Sequence, residues 1–175
     1  MRKSKAIVLA GLLACFITGT TVKAAGNDTY IPKEVQEACI KYGEEYSICP
    51  ELLMAMCEKE SSGRADAVNG TCKGLLQINE NVHKCRMERL GVTDLYDIES
   101  NVNVAADYLL ELFEQNEDIY LVLMIYNMGN EKAEQLYKQG IYSKYAVSIT
   151  ERSEELERLH GKKEVEICGS NNEKR

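Results

Sequence analysis

The 175-residue chain has no tryptophan, two prolines and two histidines. The histidines, His83 and His160, are far apart and there is no Cys-x-x-Cys pair, so a structural zinc site has no ligand set to draw on. Each histidine reads as a surface or packing residue. Positive charge is scarce: 21 Lys and Arg stand against 28 Asp and Glu, a formal net charge of −7. That balance argues against nucleic acid as a partner, because such binding rests on basic side chains at phosphates. No internal repeat is visible. The N-terminal apolar run, from Ala6 to about Ile17, is too short and too rich in Gly and Thr for a membrane span.

That run follows Arg2, Lys3 and Lys5 and leads to Val22-Lys23-Ala24, with small residues where a signal peptidase cuts. Residues 1–24 therefore read as a secretory signal, and the exported chain begins near Ala25. A second reading makes Leu12-Leu13-Ala14-Cys15 a lipoprotein box with a lipidated Cys15, although Leu13 is atypical for it. The remainder fits one domain, about residues 25–160, followed by a polar tail over 161–175. Removing the first 24 residues, which hold four basic and no acidic groups, leaves 17 basic against 28 acidic residues and a net charge near −11. It also leaves six cysteines, Cys39, Cys49, Cys57, Cys72, Cys85 and Cys168. An even number in an exported chain predicts at least one disulfide, with about 15 connectivities open. The alternative is that some, above all Cys57, are small apolar core residues.

Almost every later segment reads as helix. Pro32 opens one with Val35, Cys39 and Tyr42 on one face, and Pro50 opens a second. Asn69-Gly70 is a strong turn signal, placing a loop or a two-stranded hairpin over Asp66 to Cys72. Asn101 to Phe113 is amphipathic, with Val104, Ala105, Tyr108, Leu109 and Leu112 inward. Ile119, Val122, Leu123 and Tyr126 form another stripe that ends near Gly129. Tyr142, Tyr145, Ile149, Leu156 and Leu159 predict a last helix of about twenty residues, packed on the domain or paired with a partner.

One position breaks the pattern of solvated charge. Leu53, Met56, Cys57 and Glu60 fall at i, i+3, i+4 and i+7 of the Pro50 helix, which places a carboxyl group on an apolar inward face. Ser61-Ser62-Gly63 stops the helix there, so Glu60 also sits near the negative end of the helix dipole. Burial and dipole both disfavour ionisation. A carboxylic acid with a raised pKa can hold a proton near neutral pH and deliver it to a leaving oxygen, as glycosidic cleavage requires.

Glu60-Ser61, then Gly74-Leu75-Leu76-Gln77-Ile78-Asn79, then Tyr126-Asn127-Met128-Gly129, then Tyr145 stand in an order and spacing that resembles the soluble lytic transglycosylase domain. The resemblance covers about Ile31 to Ile149. It implies a mainly α, lysozyme-like helical domain with a small β-hairpin beside the cleft, and cleavage of peptidoglycan without metal or cofactor. Glu60 would be acid and then base. Ser61, Gly74, Gln77, Tyr126, Asn127 and Tyr145 would bind the glycan or hold the cleft, with the Tyr126 hydroxyl placed near Glu60; packing is the other reading for Tyr126 and Tyr145.

Hydrolytic glycosidases normally use two carboxylates. In the related lysozyme pattern the second lies two residues before the glycine of the Gly-Leu-Leu-Gln motif, and here Cys72 stands there. The resemblance thus favours a transglycosylase that closes a 1,6-anhydro ring. Asn79 is more lysozyme-like and keeps hydrolysis open, with Asp66 as second acid. A third reading is a glycan-binding module of a secretion or conjugation apparatus. The acidic chain also implies that short-range contacts, not attraction to an anionic wall, hold the substrate.

Overall fold

The computed structural model describes residues 29–161. The secretory signal with its Cys15 alternative, Cys168 and all but the first residue of the polar tail lie outside the described residues. Seven helices and one small sheet make up the described part: α1 (Lys33–Tyr46), α2 (Pro50–Ser61), β1 (Val68–Asn69), β2 (Cys72–Lys73), β3 (Ile78–Asn79), α3 (Glu80–Leu90), α4 (Ile98–Gln115), α5 (Ile119–Met128), α6 (Asn130–Tyr137) and α7 (Lys144–Leu159). This is the mainly α, lysozyme-like architecture that the resemblance implies, and β3 extends the expected two-stranded hairpin to a three-stranded antiparallel sheet.

Pro50 occupies the first helical position of α2, where its missing N–H costs nothing. The helix is central rather than one-sided: every residue from Glu51 to Cys57 is at most 3% exposed. It is covered by α1 and α7, and α5 packs on α7. An inward stripe alone does not reveal such all-round burial, which depends on the elements that close over the other face.

The sheet order is β1-β2-β3, antiparallel throughout, with Asn69 opposite Cys72 and Cys72 opposite Asn79. Gly70 takes the left-handed φ of +62° that the Asn-Gly turn requires. Asn79 ends β3 and caps α3, its side chain accepting from the N–H groups of Asn81 and Val82. The lysozyme-like residue at this position thus has a local structural job.

The last helix is shorter than the apolar spacing predicts. Ser143 caps α7 by accepting from the Ala146 N–H at 3.1 Å, and Tyr142 stays in the preceding loop, 47% exposed. The N-cap decides the start because it satisfies an orphan donor of the first turn, which Tyr142 would not. The helix packs back on α2 and α5.

Candidate active site

Glu60 lies on the last turn of α2. Ser62 adopts a left-handed conformation, its N–H bonding the Glu58 carbonyl and that of Gly63 the Cys57 carbonyl, each at 3.1 Å. Ser61 is buried; its hydroxyl donates to the Cys57 carbonyl at 3.2 Å and accepts from the Arg64 N–H at 3.1 Å. It fastens the helix end beneath the carboxylate. Burial raises the Glu60 pKa above the ordinary carboxylate value, opposed by a hydrogen bond from Tyr145 and by the charge of Lys59.

Tyr145, on the first turn of α7, donates its hydroxyl to Glu60 Oε1. Burial, followed by the charge of Glu60, pushes this phenol far above its usual range, so it remains a donor across the pH range of enzymes. The Tyr126 hydroxyl has a backbone acceptor. Burial and the Glu60 charge raise its pKa, which puts it beside the site, but its hydroxyl donates to the Leu76 carbonyl at 2.8 Å. It thereby ties α5 to the Gly74–Gln77 turn, while Tyr145 makes the bond to the carboxylate. Asn127 follows on the exposed edge of α5.

The Gly74–Gln77 turn forms the adjoining wall. Gly74 has φ +75°, and a Cβ there would lie 2.2 Å from the Leu95 carbonyl oxygen and 2.3 Å from Asn101 Nδ2. The close approach that glycine permits is therefore to the chain itself, where the sequence reading placed a sugar. Gln77 is in the left-handed region at φ +48°, a strained choice for a residue with a Cβ. Its amide nitrogen donates to the Gly74 carbonyl at 2.9 Å and the Ala67 carbonyl at 3.3 Å. The donor side of the amide assigned to the glycan is engaged within the hairpin.

Asn101, fully buried on α4, is a residue the sequence reading passed over. Its Oδ1 accepts from the Leu76 N–H at 2.8 Å, and its Nδ2 donates to the carbonyls of Lys73 and Leu95 at 3.0 and 2.8 Å. The signal was available: Asn101 precedes Val104 and Ala105 by three and four residues, so a carboxamide stands on the inward stripe.

Cys72, in the place of a second carboxylate, sits half-buried on β2. Asp66 is exposed in the turn before β1. Lys59 supplies the charge that bears on Glu60, and no carboxylate is among the groups that shift it. The five described cysteines are free thiols. Cys39 and Cys57 have sulfurs 3.9 Å apart, a thiol contact well beyond the roughly 2.05 Å of a disulfide. The expected disulfide is absent among the described residues, and the pair packs as core, α1 against α2.

The site thus offers one half-buried acid of raised pKa, one phenol bonded to it, and a rigid turn clamped by Asn101 and Tyr126. The sequence profile described as the Transglycosylase SLT domain matches residues 37–147. The chain belongs to that family. The SLT match runs from α1 into α7, so it takes in Glu60, the Gly74–Gln77 turn, Tyr126 and Tyr145. No curated protein matches the chain. Among solved structures it is similar to an inactive mutant of the lytic transglycosylase Slt from Pseudomonas aeruginosa, with TM-score 0.56 and 17% identity over 74% of this chain. That likeness is one of fold. The SLT chain described here spans 23% of the length of that enzyme.

Proposed function

We propose that this chain is an exported peptidoglycan lytic transglycosylase acting at the cell wall, with Glu60 as its single acid and base. The carrying observation is the Glu60 carboxyl group, half-buried with a raised pKa and bonded by Tyr145, with Cys72 standing where a hydrolase pattern places a second acid. Protonated Glu60 gives its proton to the oxygen joining N-acetylmuramic acid to N-acetylglucosamine, and the bond from that oxygen to the anomeric carbon breaks. The substrate's N-acetyl group stabilises the cationic carbon. Glu60, now a carboxylate, takes the proton of the muramic acid 6-hydroxyl, whose oxygen bonds the anomeric carbon and closes the 1,6-anhydro ring. Water is not consumed, and Glu60 ends protonated as it began.

Tyr145 suits both halves of this cycle. Its donated hydrogen bond stabilises the Glu60 carboxylate, partly offsetting burial, so that the acid releases its proton in the first step without becoming too weak a base for the second. The similar Slt structure is of a mutant made inactive by a Glu→Gln replacement, an analogy that supports a glutamate as the acid.

Glu60→Gln keeps the shape and removes the transferable proton. General acid–base catalysis is typically worth about 10²–10⁴-fold, and a group serving two steps contributes at the upper end. Muropeptide release from purified sacculi is expected to fall to background with the fold intact. Mass spectrometry of the wild-type products decides the reaction class: anhydro ends support the proposal, reducing ends make the chain a lysozyme, and no release makes it a binding module.

A further inference from the structure

Three carboxylates of α2 are buried or half-buried, two receiving a group from α7 and the third one from His160, the residue that caps the C-terminal end of α7. Tyr145 bonds Glu60. Arg152 forks onto Glu58, which is 7% exposed, with Nε 2.7 Å from Oε2 and Nη2 3.1 Å from Oε1. His160 Nδ1 lies 2.9 Å from Oε1 of Glu51, which is 1% exposed. The partners run in opposite order along the two helices, so the pairs form an antiparallel ladder. Tyr145 and Arg152, seven residues apart, share one face of α7.

The upper rung is a single hydrogen bond at the first turn of α7, where a helix frays most readily. Apolar contacts between two helices tolerate small axial slips, whereas a bidentate guanidinium on a carboxylate fixes distance and direction together. The Glu58 end of the fork is itself held: Thr29 donates to its Oε1 and Tyr30 to its backbone carbonyl at 3.1 Å. Arg152 also pairs with Glu155 through Nη1 at 2.6 Å.

We propose that Arg152 is a positioning residue for the Glu60–Tyr145 pair: its fork on Glu58 fixes the register of α7 along α2 and so holds the Tyr145 hydroxyl against the Glu60 carboxylate. This rests on the reading of Glu60 as the acid. The titratable and charged groups facing Glu60 are Tyr145 from α7, Tyr126 from α5, and Cys57 and Lys59 from α2 itself, with Cys72 of the sheet beyond Tyr126. Arg152 bonds Glu58 and Glu155, and the route to Glu60 in this proposal is the placement of Tyr145 on the same helix face.

The test is the pH profile of kcat/KM for muropeptide release, whose basic limb reports deprotonation of the free-enzyme acid. Tyr145→Phe removes a bond that favours the carboxylate, so the limb should move to higher pH, by about one unit. Glu58→Gln combined with Arg152→Met, which leaves no buried charge unpaired, should move it the same way. In a Tyr145→Phe background the double change should add no further displacement. Arg152→Lys keeps the charge without the fork and should give a smaller shift; it also serves if the double variant does not fold. A profile superimposable on wild type with only a lower Tm overturns the proposal, as does a shift that persists undiminished when Tyr145 is already Phe. An active Glu60→Gln variant would instead overturn the reading of Glu60.

Discussion

Tyr145 and Tyr126 flank the same carboxylate and hold opposite ends of the site. The Tyr145 hydroxyl bonds the ionisable group, and the Tyr126 hydroxyl bonds a backbone carbonyl of the neighbouring turn. Phenylalanine at either position retains the ring and its packing, so each substitution isolates one hydrogen bond. Loss of the Tyr145 bond touches the proposed acid, Glu60, and is worth about 1.5–3 kcal/mol or roughly 10- to 150-fold in rate. Tyr145→Phe is therefore expected to lower turnover near neutral pH by that range while hardly moving Tm. Tyr126→Phe leaves the Leu76 carbonyl without its donor, which costs about 1–3 kcal/mol of stability, and reduces activity less. Paired melting and muropeptide-release measurements check this division. If Tyr126→Phe proves the more damaging to turnover at unchanged Tm, its hydroxyl serves the substrate rather than the turn.

Among the elements, the sheet and α4 meet at Asn101, which bonds three backbone groups, the Leu76 N–H and the Lys73 and Leu95 carbonyls. Asn101→Leu fits the apolar surroundings but removes the acceptor of the Leu76 N–H and a donor from each of the Lys73 and Leu95 carbonyls. An expected loss of about 3–5 kcal/mol follows from several unsatisfied buried groups at once, and denaturant unfolding at constant m-value measures it. A loss below about 1 kcal/mol would mean that water replaces the carboxamide. This element-level view also explains what sequence makes legible. Periodicity and prolines disclose α1, α2, α4 and α5, and Asn69-Gly70 discloses the hairpin, because each signal is local. Glu60 is legible for the same reason, as a carboxylate on an apolar stripe. The Glu58–Arg152 rung joins positions 94 residues apart, and α7 begins where Ser143 caps it instead of where the apolar spacing begins. Tyr126 could be assigned to the cleft but not to Leu76, since the acceptor lies 50 residues away. Cys39 and Cys57 lie together, yet only coordinates separate a 3.9 Å thiol contact from a crosslink.

For the whole molecule the decisive quantity is its charge. The chain carries a net −7, and several of its basic side chains are neutralised on site: Arg86 and Arg89 on Asp107, Lys41 on Glu99, Lys73 on Glu80, Lys138 on Glu134. On the function proposed above, long-range electrostatics with an anionic wall are repulsive, so capture of a glycan would depend on short-range contacts in the cleft. Salt shortens the reach of that repulsion, from about 30 Å at 0.01 M to about 3 Å at 1 M, and leaves buried contacts almost untouched. Binding to purified sacculi should accordingly stay constant or strengthen as ionic strength rises. The Glu60→Gln variant, which leaves the glycan intact, allows sedimentation across a salt series without digestion. A bound fraction that falls steeply with added salt would show docking through a basic patch and would contradict recognition by the cleft alone.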